Sequence, residues 1–108
     1  MVCKQIMLNM ESKIQLLHPA GEKAIRMDQT KYDLLREALL NHLKIYGPSN
    51  HTEIQQSVTE DFNKNETKFE GSIDWHLEWV KLDLEGRKEI RRIGNTSPVK
   101  YQIAEQNN

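Results

Sequence analysis

The sequence is poor in several features that would point to a particular class of protein. Its 108 residues contain one cysteine, Cys3, which excludes an internal disulfide, so we expect a reducing, cytoplasmic environment. No apolar run approaches the ~20 residues of a membrane-spanning helix. The polar N-terminal residues also lack the apolar continuity of a signal peptide. We therefore expect no membrane association.

The residue patterns of the common catalytic sites are missing as well. The four histidines are scattered without metal-ligand spacing, and neither a glycine-rich phosphate loop nor a nucleophile elbow occurs. Asp83 and Glu85 are two residues apart, so a helix directs them to different sides. We interpret His42, beside Leu43, as a surface or boundary histidine, and His76 as the histidine to check. We expect no enzymatic activity, no metal site and no cofactor.

The chain also lacks an excess of charge of either sign. Its net charge is −1, which is not the basic footprint of a typical polyanion-binding protein. The charges are unevenly distributed, however. Residues 85–101 hold five basic and two acidic residues, whereas residues 53–70 hold two basic and five acidic ones. The sequence thus has a local, modest basic end.

The composition that is present suits one small domain. Apolar residues make up 37% of the chain and charged residues 29%, enough for one compact core. We predict a flexible arm over residues 1–12, a single domain over residues 13–104, and a disordered tail over residues 105–108.

Local patterns predict a hairpin followed by a helix. Alternating apolar residues and the turn segment Pro19–Glu22 predict a β-hairpin over Lys13–Asp28. Thr30 is the expected N-cap of the first helix, with Asp33 in its first turn, and Gly47 followed by proline ends it.

Two more helices and a second hairpin follow. Asn50 and Glu53 have the spacing of a capping box, which starts the second helix before a polar loop over residues 63–68. Ser72 is the expected cap of the third helix. Beyond Lys88, apolar residues recur every second position, which predicts a strand, a loop and a strand through Ile103.

The third helix, expected from Ser72 to Lys88, has apolar residues on two opposite sides. The spacing predicts a core-facing stripe that comprises Ile73, Leu77, Val80 and Leu84. A second stripe, Trp75, Trp79 and Leu82, lies about 180° away at 100° per residue. Three covers for the second stripe are open: the N-terminal hairpin, a second copy of the chain, or a different protein or ligand.

This element order resembles that of a winged helix-turn-helix domain. Winged-helix proteins commonly end the third helix with a Leu-Glu-x-x-Gly run, and the segment from Leu84 to Arg92 is similar to it. Lys88 stands where glycine is usual, and Glu89 stands where an apolar residue is usual. The resemblance implies an α+β winged helix-turn-helix fold: three helices plus a C-terminal β-hairpin wing, here with an added N-terminal β-hairpin.

A closer resemblance covers most of the chain. The segments Lys13–Pro19, Phe69–Ile73 and Val80–Glu85, together with Tyr32, are similar to a small bacterial family of uncharacterised winged-helix proteins. The VKLDLE run after a tryptophan is the most specific of these segments. The family implies a fold and no assigned activity.

Two functions remain open. The first is nucleic-acid binding, as in a transcription regulator, in which the basic wing contacts duplex DNA. Its candidate contact residues are Arg87, Lys88, Arg91, Arg92, Asn95 and Lys100. The second is protein association, with another protein or as a homodimer. Its candidate face is formed by Trp75, Glu78, Trp79 and Leu82. This face carries aromatic rings and carboxylates, which makes it poorly suited to reading base edges, and Lys81 is its only central cation.

Overall fold

Three helices and five short strands make up the part of the chain that the structure, a computed structural model, describes, residues 13–93 and 98–104. The helices are α1 (Gln29–Tyr46), α2 (His51–Lys64) and α3 (Ile73–Gly86). The strands are β1 (Lys13–Gln15), β2 (Arg26–Asp28), β3 (Ser49–Asn50), β4 (Ile90–Ile93) and β5 (Lys100–Ile103). The expected α+β class is confirmed. The arm and tail predicted for residues 1–12 and 105–108 lie outside the described residues.

Side-chain caps fix where two of the helices begin. The Asn50 and Glu53 side chains each accept the other residue's backbone N–H at 2.9 Å, so the predicted capping box at the start of α2 is confirmed. Ser72 Oγ accepts the Trp75 N–H at 3.0 Å, which confirms the predicted cap of α3.

The predicted cap of α1 is wrong. Asp28 is its N-cap and accepts the Lys31 N–H at 3.2 Å, whereas Thr30 is already helical. Asp33 consequently lies beyond the first turn and accepts a hydrogen bond from the Gln29 side chain. Both Asp28 and Thr30 are residues that favour the N-cap position, so residue type alone did not distinguish them. The polar loop predicted from Asn63 also starts later, because α2 continues to Lys64.

The strands form two small antiparallel sheets. β1 pairs with β2 in the register Lys13 to Asp28. The second sheet has the order β3-β5-β4, with Ser49 opposite Tyr101 and Arg92 opposite the same tyrosine on its other side. β3, which the sequence pattern did not predict, lies between α1 and α2 and joins the segment before α2 to the C-terminal hairpin.

A single cluster of buried side chains joins all three helices to both sheets. The predicted inward stripe of α3 is confirmed, because Leu77, Val80 and Leu84 are fully buried and Ile73 packs against the cluster. The cluster comprises Leu16, Met27, Tyr32, Leu35, Leu39, Leu43, Ile54, Val58, Phe62, Leu77, Val80, Leu84, Ile90 and Tyr101. Burial of these side chains supplies the main favourable contribution to folding. Among residues 13–93 and 98–104, no helix combines the length and the apolar character needed to cross a membrane.

One carboxylate is buried next to this core. Asp83 on α3 is 0% exposed, and its oxygens accept the Tyr32 hydroxyl at 2.5 Å and the Leu17 N–H at 2.7 Å. Arg87 Nε, one turn further along α3, donates to it at 2.8 Å. Burial and the contact with Asp83 raise the pKa of Tyr32, which keeps its phenol protonated and able to donate. Asp83 thus links α1, α3 and the segment after β1.

The last turn of α3 also approaches that segment closely. A Cβ placed on Gly86 would lie 3.0 Å from the Leu17 Cβ, tighter than ordinary contacts. Glycine at position 86 therefore permits the backbone approach that brings the Leu17 N–H to Asp83.

We expect Tyr32→Phe to destabilise the fold by about 1.5–3 kcal/mol, because a buried carboxylate loses one of its donors. The measurement is the free energy of unfolding from urea titration. Tyr46→Phe is the matched control: Tyr46 is 70% exposed on the same helix, so this change should stay within about 0.5 kcal/mol. Equal effects of the two substitutions would contradict the role assigned to the Asp83 contact.

Candidate functional site

The first two turns of α3 present an aromatic and acidic face to solvent. Trp75 is 50% exposed, and Asp74 and Glu78 beside it are exposed too. The Trp75 indole meets the His76 ring edge-on at a centroid distance of 4.9 Å and the Trp79 indole at 6.3 Å. These contacts support the indole from the protein side and leave half of its surface open.

Trp79 and Leu82 do not share that exposure. Trp79 is half-buried and packs against the core cluster. Leu82 is also half-buried and lines a groove of about 590 Å³ between α3, the β1–β2 loop and β4. The other residues of this groove are His18, Pro19, Ala20, Glu85, Ile90, Arg91 and Arg92. The exposed part of the predicted second stripe is therefore concentrated at Trp75.

The N-terminal hairpin leaves Trp75 open. Its described hydrogen bonds to α3 are made at the last turn, where Leu17 N–H reaches Asp83 and the Gln15 carbonyl accepts from Arg87 at 3.4 Å. Trp75 lies two turns earlier and remains half-exposed. Of the three covers considered for this tryptophan, the hairpin is excluded within the described chain.

Lys81 is not the exposed central cation that the helix pattern indicated. It is 3% exposed, its Nζ lies 4.5 Å from the centre of the Tyr101 ring, and its nearest carboxylate oxygen is Glu78 Oε1 at 3.5 Å. Burial lowers the pKa of Lys81, while Glu78 acts in the opposite direction. Lys81 thus stabilises the packing of α3 on β5 and presents almost no surface to a ligand.

His51, which no sequence motif singled out, belongs to the Trp75 face. Its Nε2 lies 2.6 Å from Asp74 Oδ1 and 3.9 Å from Glu78 Oε2, although it comes from the first residue of α2. Its Nδ1 is buried without a hydrogen-bond partner in the described chain. Because His51 and Asp74 are 23 residues apart, no local spacing could have paired them.

Two arginines of the basic end, Arg87 and Arg92, form ion pairs within the protein. Arg87 Nε donates to the buried Asp83, and Arg92 Nε donates to Glu85 Oε2, both at 2.8 Å. The hydrogen bond to Glu85 raises the pKa of Arg92 above its ordinary value. Each of these cations is therefore partly neutralised before any external phosphate approaches.

Two other predicted wing cations point outward. The strand register places Arg91 and Lys100 on the same exposed face of the β4–β5 hairpin, opposite the face that carries Ile90 and Tyr101. The Gln102 amide lies 2.5 Å from Arg91 Nη2 and 3.1 Å from its Nε, and it accepts from both when its oxygen faces the arginine. Lys88 is exposed at the end of α3, with φ of 65°. Asn95 lies outside the described residues.

His42 is buried, so its interpretation as a surface or boundary histidine is wrong. Its Nε2 lies 2.9 Å from Ser49 Oγ, whose hydroxyl donates to the Gly47 carbonyl at 3.0 Å. Since the serine has one hydroxyl proton, the imidazole must donate from Nε2. The pair therefore joins α1 to β3 and lacks the arrangement of a nucleophile and its base.

The remaining histidine singled out from the sequence, His76, has local contacts. Its Nδ1 lies 2.7 Å from the Ser72 carbonyl oxygen, and its ring meets Phe69 edge-on at 5.2 Å. Among the residues that the structure describes, no group of three histidine, cysteine or acidic side chains is arranged to hold a metal ion.

Comparison with known proteins identifies one family. The family model described as "Family of unknown function (DUF6958)" matches residues 13–101. No curated protein and no solved structure matches the chain.

We expect the two tryptophans to differ in their access to solvent. In Trp79→Phe the remaining Trp75 should be quenched readily by acrylamide, whereas in Trp75→Phe the remaining Trp79 should be protected by the core. Both variants should give the same quenching constant in urea, which serves as the control. Equal quenching in the folded state would contradict the exposure described above.

We also expect His42 to make stability dependent on pH. Burial lowers the pKa of His42 below 6.5, so the unfolded chain takes up this proton first as the pH falls. The contribution of His42 is therefore fully present above pH 6.5 and is lost as the pH falls toward the folded-state pKa. The unfolding free energy of the wild type relative to that of His42→Gln should therefore decrease as the pH falls from about 7.5 to about 5. A difference independent of pH would contradict the assignment.

Proposed function

We propose that this chain, which belongs to the DUF6958 family of unknown function, is a winged-helix module that associates with another protein through its third helix. The element order supports the winged-helix assignment: α1, β3, α2 and α3 are followed by the β4–β5 hairpin, and β3 pairs with β5. In such a domain the third helix is the element that enters the DNA major groove, and the hairpin is the wing.

The observation that carries the proposal is the half-exposed Trp75 beside two exposed carboxylates, Asp74 and Glu78. A DNA-reading helix usually presents arginine, lysine, asparagine or glutamine to the base edges. The outward side of α3 instead presents Asp74, Trp75 and Glu78, and Lys81 is buried. Phosphates would meet two negative charges there. Aromatic residues are, by contrast, enriched at the centres of protein–protein interfaces.

A second candidate function is phosphate binding by the wing. It is favoured by Arg91 and Lys100, which share the exposed face of the β4–β5 hairpin. Two neighbouring cations are less available to phosphate, because Arg92 on the same hairpin is ion-paired with Glu85 and Arg87 at the end of α3 is ion-paired with Asp83. We therefore favour protein association through α3 over phosphate binding by the wing.

Site-specific photo-cross-linking in the native cells tests the association. A photoreactive phenylalanine derivative replacing Trp75 should yield a covalent adduct with a defined protein partner. Ile45 is the matched control position, because it is 72% exposed and lies on α1, away from the α3 face. The same derivative at position 45 should not give this adduct.

The opposing result would be the absence of any protein adduct at position 75, combined with salt-sensitive binding of duplex DNA by the purified chain. If that DNA binding weakened in an Arg91→Ala, Lys100→Ala variant, the wing would be the functional surface and association through α3 would be wrong.

A further inference from the structure

The charges around Trp75 define what kind of partner it suits. Glu78 follows the tryptophan by three residues and is its neighbour on the helix surface, and Asp74 lies one turn before Glu78 on the same side of the helix. Both carboxylates therefore lie on the side of Trp75 away from His76 and Trp79. The Asp74 and Glu78 side chains are 58% and 55% exposed. Both are therefore open to a group that approaches the open part of the ring.

The protein's own cations do not fully balance these carboxylates. Within the described part of the chain, Lys81 is the one lysine or arginine in contact with them, and its amine is buried 3.5 Å behind Glu78. His51 contacts both carboxylates, and His76 packs on the other side of the indole. Two carboxylates against one ammonium group leave one formal negative charge beside Trp75.

The site is also held in place before any partner arrives. Contact with His51 at 2.6 Å restrains Asp74, and the edge contacts from His76 and Trp79 support the indole. A ligand that binds there loses less free energy to ordering than it would on a mobile surface.

We infer that the partner of this face is a basic peptide segment, one of whose arginine or lysine side chains packs on the Trp75 indole beside Asp74 and Glu78. Tryptophan is the most favourable aromatic ring for a cation, and the flanking carboxylates pair with the same charge. This inference rests on the proposed function and adds the chemistry of the partner.

Binding of dye-labelled hexaarginine amide to the purified chain tests the inference, with fluorescence anisotropy measured at about pH 8 and about 0.1 M salt, where the Debye length is about 10 Å. The Asp74→Asn, Glu78→Gln variant and the Trp75→Ala variant should each bind about tenfold more weakly than the wild type. Trp75→Phe should retain part of the affinity, because a smaller ring remains. Hexaglutamate should not bind at this face.

The matched control is Glu37→Gln, Glu60→Gln, which removes the same amount of charge. Both residues are at the surface, on α1 and α2, and lie away from Trp75. The affinity of this variant should stay within about twofold of the wild type, since exposed charges beyond the Debye length contribute little. Urea unfolding of each variant verifies that the fold is retained.

Two results would overturn the inference: absence of hexaarginine binding, or an equal loss of affinity in the two charge variants, which would reflect net charge alone. The hexaarginine experiment and the cross-linking experiment can fail independently of each other. An adduct at position 75 that survives Asp74→Asn, Glu78→Gln leaves association standing and the basic partner wrong. Hexaarginine binding through Trp75 without any cellular adduct would leave the preference of this face for basic groups standing and the proposed association in cells wrong.

Discussion

The arrangement of this fold depends on the hydrogen bonds that surround the buried carboxylate of Asp83. An ionised carboxylate inside a protein costs several kcal/mol unless donors surround it. Asp83 obtains them from Tyr32 on α1, from Leu17 after β1, and from Arg87 at the end of its own helix. A rotation of α3 about its axis would remove the two distant donors and leave Arg87, which turns with the helix, as the remaining partner of the buried charge. The contact therefore fixes the rotation of α3 as well as its position.

This fixed rotation determines which chemistry the third helix shows to the outside. With Asp83 held inward, Leu77 and Val80 point into the core, and Trp75 lies on the opposite side of the helix from Leu77. The same orientation buries Lys81 against Tyr101. The exposed aromatic and acidic face is thus a consequence of the packing that stabilises the domain.

Local patterns in the sequence predicted the elements better than they predicted the site. Apolar periodicity located the inward stripe of α3, and the Asn50–Glu53 and Ser72 caps located two helix starts, because each signal acts over a few residues. β3 escaped prediction since two residues are too short to show alternation. The contacts that shape the site act over much longer separations: Asp83 meets Tyr32 across 51 residues, and His51 meets Asp74 across 23. Contacts between residues so far apart in the sequence produce no local spacing pattern that could predict them.

In the winged-helix assignment proposed above, the third helix takes the place of a recognition helix, but its charges favour a different contact. Affinity for DNA grows with the number of phosphates that free cations can neutralise. Arg87 and Arg92 are each held 2.8 Å from a carboxylate, so a phosphate would have to compete with an existing ion pair. Asp74 and Glu78 add repulsion along α3 itself. A cationic partner reverses both effects, because it leaves the arginine pairs intact and is attracted by the carboxylates around Trp75.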